Sequence, residues 1–165
     1  MRMPEPDANI LGRRGDIVRA LQAIVPGEGV IAADAALAPY ESDGLTAYRQ
    51  RPLAVVLQET AWQVSRVLAF CKREGLKVVP RGAGTSLSGG ALPLADGIVL
   101  GMGKFNRILE VDLPNRCVVA GPGVTNLSVT RRWSATASTT RPIRRARSPA
   151  PSAATWRRIP AACIA

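Results

Sequence analysis

The run Pro80-Arg81-Gly82-Ala83-Gly84-Thr85-Ser86-Leu87-Ser88-Gly89-Gly90 gathers four glycines, three hydroxyl residues and one arginine directly behind the apolar stretch Leu76 to Pro80. Glycines lack a Cβ, so such a backbone takes positive φ freely and can turn several N–H groups toward one point. A concave nest of amides of this kind binds anions, phosphate above all. The chemistry on offer is therefore capture of a nucleotide or dinucleotide cofactor through its phosphates. The competing reading is a flexible surface loop without a ligand. Little else in the chain could do chemistry. It has no histidine, the commonest general base and metal ligand. Its three cysteines, Cys71, Cys117 and Cys163, have no metal-like spacing. No residue is assigned as catalytic and none as a metal ligand.

Two familiar phosphate motifs are excluded by single residues. A P-loop, G-x-x-x-x-G-K-[ST], needs a lysine that this run lacks. The dinucleotide fingerprint G-x-G-x-x-G begins well with Gly82-Ala83-Gly84, but Leu87 stands where the third glycine belongs.

The elements that would position this loop read as α+β. Gly15-Asp16 followed by Ile17, Val18, Leu21, Ile24 and Val25 has helical spacing and stops at Pro26-Gly27. Ala33 to Leu37 predicts a short second helix, and the polar segment Glu41 to Arg51 a loop. Pro52 to Gln58 has the continuous apolar run of a strand buried on both faces. Thr60 is the N-cap expected for the next helix, with Val64, Val67, Leu68 and Cys71 on its inner face and Gly75 as its stop. Leu76 to Pro80 is a second strand, and strand–helix–strand order implies a right-handed crossover in a parallel sheet. The glycine loop then falls at a carboxyl strand end, where open α/β sheets bind ligands. Ile98 to Leu100 predicts a third strand; Ile108 to Asp112 and Arg116 to Ala120 predict a hairpin around Pro114-Asn115. Gly121 to Val124 reads as a tight turn, with a helix beginning near Asn126 that is left incomplete.

Charge divides the chain. Residues 1–130 hold 14 Lys/Arg against all 12 Asp/Glu, whereas residues 131–165 hold eight Arg and no acid. The net charge of +10 is thus concentrated in the tail. That tail is almost wholly Arg, Ala, Ser, Thr and Pro without apolar periodicity, and such a composition predicts disorder. The expected organisation is a mobile leader over 1–14, a folded part over 15–130 and a disordered tail over 131–165. No stretch has the length needed to span a bilayer and no secretory signal is visible. An odd number of cysteines fits a reduced, cytoplasmic setting.

The glycine run resembles the pyrophosphate loop of flavoproteins with the FAD-binding domain of the vanillyl-alcohol-oxidase or p-cresol-methylhydroxylase type. Gly103-Lys104-Phe105-Asn106-Arg107-Ile108-Leu109-Glu110-Val111-Asp112 and Ala120-Gly121-Pro122-Gly123-Val124 follow that family's order. Within it, the likeness is greatest to the glycolate oxidase and D-lactate dehydrogenase branch, over roughly residues 15–130. The resemblance implies FAD as cofactor, with Pro80 and the backbone from Arg81 to Gly90 around the pyrophosphate. Thr85, Ser86 and Ser88 would add hydroxyl donors, and Gly121, Gly123 and Val124 would lie near the flavin or adenosine. It implies no catalytic residue in this chain, because the family's second FAD segment and substrate domain have no counterpart here. Other glycolate oxidase subunits are the partners that the family suggests. Asp43 and Arg107 are read as structural, and Thr60-Ala61-Trp62 as packing.

The tail begins where the family's next segment should start, which predicts a reading-frame change near Thr130 or Arg131. Codon degeneracy lets Ala153-Ala154-Thr155-Trp156 conceal Gly-Gly-Asn-Val, and a family-like string can be decoded without a break across the 34 positions 132–165. The chain is then an N-terminal fragment of an FAD-dependent 2-hydroxy-acid oxidoreductase, with weak or no FAD binding and no turnover alone. The alternative is a protein whose Arg-rich tail binds nucleic acid or an anionic surface, although the tail matches no nucleic-acid module.

Overall fold

The computed structural model describes residues 3–136. They divide into two compact units, one ending at Met102 and one beginning at Gly103. The architecture is α+β. The first unit carries a four-stranded sheet in the order β1-β2-β4-β3, formed by β1 (Val30–Ile31), β2 (Ala54–Val56), β3 (Lys77–Arg81) and β4 (Gly97–Gly101). β2, β4 and β3 run parallel, and β1 pairs antiparallel with β2 at the edge. The two-residue β1 escapes detection from sequence because it is too short to show alternation.

Strand composition explains the order. Every residue of β4 is buried, so it takes the centre, with Val99 opposite Val55 on one side and Val79 on the other. β3 contains the exposed Lys77 and Pro80. Proline has no N–H to donate to a ladder and suits an edge strand. Side chains alternate across the sheet. Ala54, Val56, Ile98 and Leu100 meet α2 (Arg14–Ile24) and α4 (Ala61–Glu74) through Ile17, Leu21, Val67, Phe70 and Cys71. Val55 and Val99 face the other way, against Leu37 of the short helix α3 (Asp34–Leu37). Each such fully buried aliphatic side chain contributes about 1.5–3 kcal/mol by leaving water.

α4 begins and ends where the sequence places it. Thr60 and Gln63 form a reciprocal capping box, and Gly75 closes the helix in the left-handed conformation at φ 69°. Its inner face is rotated from the expected one: Phe70 is buried, whereas Leu68 is 44% exposed.

The expected mobile leader is not what residues 7–14 form. Asp7 caps the one-turn helix α1 (Ala8–Gly12) by accepting from the Asn9 amide. The Asp7 amide in turn donates to buried Asp96, and Arg13 pairs with Glu74. Arg14 donates to the carbonyls of Leu53 and Ala32.

In the second unit, β5 (Ile108–Asp112) and β6 (Cys117–Ala120) form the expected antiparallel hairpin, with a register shift between Ile108 and Glu110. The helix expected to begin near Asn126 is complete: α5 (Asn126–Thr136) runs past Thr130 into the first residues of the stretch expected to be disordered. Trp133 is the reason: it lies one turn after Val129 and is buried with it against Val118, Ala120 and Val124. The remainder of the expected disordered tail, 137–165, lies outside the described residues.

Candidate functional site

β3 ends at Arg81, whose carbonyl accepts from the Met102 amide, and the chain leaves the sheet there into the glycine loop. Pro80 is therefore a strand residue opposite Leu100, and the loop proper starts at Gly82. Gly84 and Gly89 sit at φ 73° and 75°, the left-handed region that glycine enters without strain. Among the described residues, no backbone N–H from Gly82 to Leu87 donates to a protein acceptor. In the following turn, the Ser88 and Gly90 amides both donate to Ser86 Oγ, at 3.3 and 3.2 Å. The Leu92 amide closes the segment onto the Gly89 carbonyl.

Arg81 belongs to the foundation of this loop. Its side chain is buried, and it donates to the carbonyls of Ser42 at 2.8 Å, Ala91 at 3.3 Å and Pro39 at 3.3 Å. One guanidinium thus ties both ends of the loop to residues 39–42. It also stacks over the Tyr40 ring, 5.5 Å from its centroid. Burial pulls its pKa down from the ordinary value, and the charges of Tyr40 and Asp43 act in the opposite sense. The Arg81 guanidinium is thus engaged by carbonyls inside the protein.

From sequence, the segment that Arg81 grips reads only as a polar loop. Here it forms a wall against the glycine run. A Cβ built on Gly44 would lie 3.0 Å from the Thr85 carbonyl carbon and oxygen, so any side chain here would push the glycine run back by a few tenths of an ångström. Asp43 is buried; its Oδ1 accepts from the Leu45 amide, and its Oδ2 has no partner among the described residues. It lies near enough to Arg81 to interact with it electrostatically. Thr46 follows at φ 54°, a strained conformation for a β-branched residue. The Asp43-Gly44 turn signal was visible in the sequence, but nothing there linked it to residues forty positions on.

Gly121, Gly123 and Val124 belong to the second unit and are described within it. Their amides donate to the carbonyls of Arg107, Phe105 and Gly121 respectively. A Cβ on Gly121 would run into the Phe105 carbonyl, which accounts for the glycine by close backbone approach. Val124 is buried in the local core. These N–H groups are engaged by protein acceptors, whereas those of Gly82 to Leu87 have none among the described residues.

This chemistry fits a diphosphate. Unengaged amides on a mostly exposed loop, two left-handed glycines and three hydroxyl side chains are donors suited to anionic oxygens. Among the described residues no group of His, Cys, Asp or Glu could hold a metal ion, and no helix is long and apolar enough to cross a membrane.

Comparison with known proteins gives the same ligand class. A family model described as "FAD binding domain" matches residues 52–148. The glycolate oxidase subunit GlcD of Escherichia coli K12 is 47% identical over 118 residues, which are 72% of this chain and 24% of that protein. The D-lactate dehydrogenase of Archaeoglobus fulgidus is 45% identical over 71 residues, 43% of this chain and 16% of that one. The chain thus spans about a quarter of the length of the first of these relatives. Among solved structures, p-cresol methylhydroxylase superposes with a TM-score of 0.67 at 21% identity, over 81% of this chain and 26% of its own, which establishes the fold. Through a domain model that covers more than half of its residues, the chain belongs to the FAD-binding-domain family and is a flavoprotein sequence whose cofactor is FAD.

Proposed function

We propose that the loop from Gly82 to Gly90 receives the pyrophosphate of FAD, in a protein type that oxidises 2-hydroxy acids such as glycolate or D-lactate. The observation that carries this reading is the row of unengaged amides on a loop fixed from beneath by Arg81. FAD, when bound, supplies the acceptor for the two electrons that leave a 2-hydroxy acid as it becomes a 2-oxo acid. This chain's own residues bind and orient. The amides of Gly82 to Leu87 would hold the anionic oxygens, with Thr85, Ser86 and Ser88 as hydroxyl donors. Arg81 and the 39–46 wall hold those donors in place before the ligand arrives, which reduces the ordering needed on binding. Gly121, Gly123 and Val124 shape the turn after β6 within the second unit. Substrate oxidation belongs to the whole protein type and is not assigned to any residue of this chain; a partnership with other glycolate oxidase subunits is part of the same proposal.

Titration of the full chain with FAD, followed by loop amide shifts in nuclear magnetic resonance and by flavin fluorescence, tests the reading. Weak, saturable binding that ADP and inorganic pyrophosphate displace is expected, with riboflavin, which has no pyrophosphate, failing to bind. Riboflavin binding as well as FAD would sink the proposal, as would loop resonances unmoved by millimolar FAD. No glycolate or D-lactate oxidation by the chain alone is expected.

A basic-tail nucleic-acid function finds no support in the family match. Its arginines lie largely outside the described residues.

A further inference from the structure

Ser86 stands apart from the other hydroxyl residues of the loop. A serine hydroxyl has two acceptor lone pairs and one proton to donate. Both acceptor positions of Ser86 Oγ are taken, by the Ser88 amide at 3.3 Å and the Gly90 amide at 3.2 Å. A Cβ on Gly90 would lie 3.4 Å from the same oxygen, in van der Waals contact with it. The hydroxyl proton has no acceptor among the described residues, and the residue is half-buried beside the free amides of Gly82 to Leu87. Saturated as an acceptor, Ser86 is left with one capability, donation. Two incoming N–H bonds also polarise the hydroxyl and make it a stronger donor.

We infer that Ser86 is a positioning and selectivity residue of the anion site: it locks the 86–90 turn through two amides and presents a single proton to the ligand. The inference rests on the pyrophosphate reading above, and it deepens it. A loop organised in this way favours a ligand that only accepts hydrogen bonds, as a diphosphate does, over one that must donate. Neither Thr85 nor Ser88 has this arrangement, since no amide donates to their hydroxyls among the described residues. The two amides of Ser88 and Gly90 are thereby withdrawn from the ligand. Its backbone contacts fall to the amides of Gly82 to Leu87.

Full-length Ser86→Ala and Ser86→Thr separate the possibilities, with inorganic pyrophosphate and FAD as probes. In ligand-free Ser86→Ala, hydrogen exchange at the Ser88 and Gly90 amides should accelerate about tenfold, the loss of two ordinary hydrogen bonds. The dissociation constant for pyrophosphate should rise by a similar factor, roughly tenfold. Ser86→Thr, which keeps the hydroxyl, should restore both. Exchange unchanged in Ser86→Ala would remove the locking role. Tighter pyrophosphate binding in Ser86→Ala would show that the hydroxyl competes with the ligand for the two amides, and would overturn the inference. Exchange is read without ligand, so failure of wild-type chain to bind any probe would count against the FAD reading and leave the lock separately measured.

Discussion

Replacing Gly84 by alanine probes the link between the glycine loop and its buried arginine. Two penalties add at this position. The backbone stands at φ 73°, where an L-residue is strained by roughly 1–2 kcal/mol. The new Cβ would also lie 2.7 Å from Arg81 Nε, against a buried guanidinium that donates to three carbonyls. Losing even one charge-assisted hydrogen bond there adds about 1.5–3 kcal/mol. Gly89→Ala is the matched control. It has the same backbone sign, φ 75°, but nothing lies within 4 Å of the added atom. It should therefore show the backbone penalty alone. With a urea slope of about 2 kcal/mol per molar, the midpoint should fall by about 0.5–1 M for Gly89→Ala and about 2 M for Gly84→Ala. Unfolding followed by backbone circular dichroism reads both. Equal shifts in the two variants would refute the claim that Arg81 fixes the loop from below.

Three further outcomes follow from buried groups and from the tail. Burial raises the pKa of Asp96, but the Lys77 ammonium at 2.6 Å and the Asp7 amide outweigh it, so the carboxyl titrates below its ordinary 3.8. Its stabilisation is complete at neutral pH and is lost as pH falls through that lowered value; Asp96→Asn should lose up to about 1 kcal/mol at pH 7 and progressively less as pH falls below 3.8, as urea midpoints would show. Burial pushes the Cys71 thiol up to about 11, so iodoacetamide at pH 8 should leave it unlabelled in the native chain and label it in denaturant, as peptide mass mapping reads. Sequencing the gene should reveal a position near codons 130–131 where a one-base insertion or deletion restores an in-frame Gly-Gly-Asn-Val; the absence of any such position ends the frame-change proposal.

What the sequence made legible is what local rules control. The capping box at Thr60 and the left-handed Gly75 are set by residues within one turn, so α4 is readable to its ends. β4 reveals itself by unbroken apolarity and β5–β6 by the turn between them. The glycine loop is equally visible, because its conformational demand is written in its own composition. Arg81 could not be read this way. Its partners, Pro39, Ser42 and Ala91, are placed by the sheet, and only the folded chain shows the charge turned inward. The Gly44 wall escaped for the same reason. Its glycine answers to Thr85, far away in sequence.

The junction near Thr130 shows how a local core can outlast a change in sequence character. Composition alone separates residues 131–165 from what precedes them, yet α5 crosses that boundary and ends at Thr136. The deciding contact is Trp133, only 4% exposed, stacked one helical turn after Val129 on the same apolar face. Its codon, TGG, conceals valine, GTG, under the frame-change proposal. Position 133 is thus apolar in both frames. Unit two needs an apolar side chain there to cover Val118, Ala120 and Val124, and either residue supplies one. Arg131, Arg132 and the polar residues after Trp133 lie on the exposed side, where composition matters little. A helix is governed by the spacing of its buried face, and that spacing continues to Trp133 whichever frame gave rise to it.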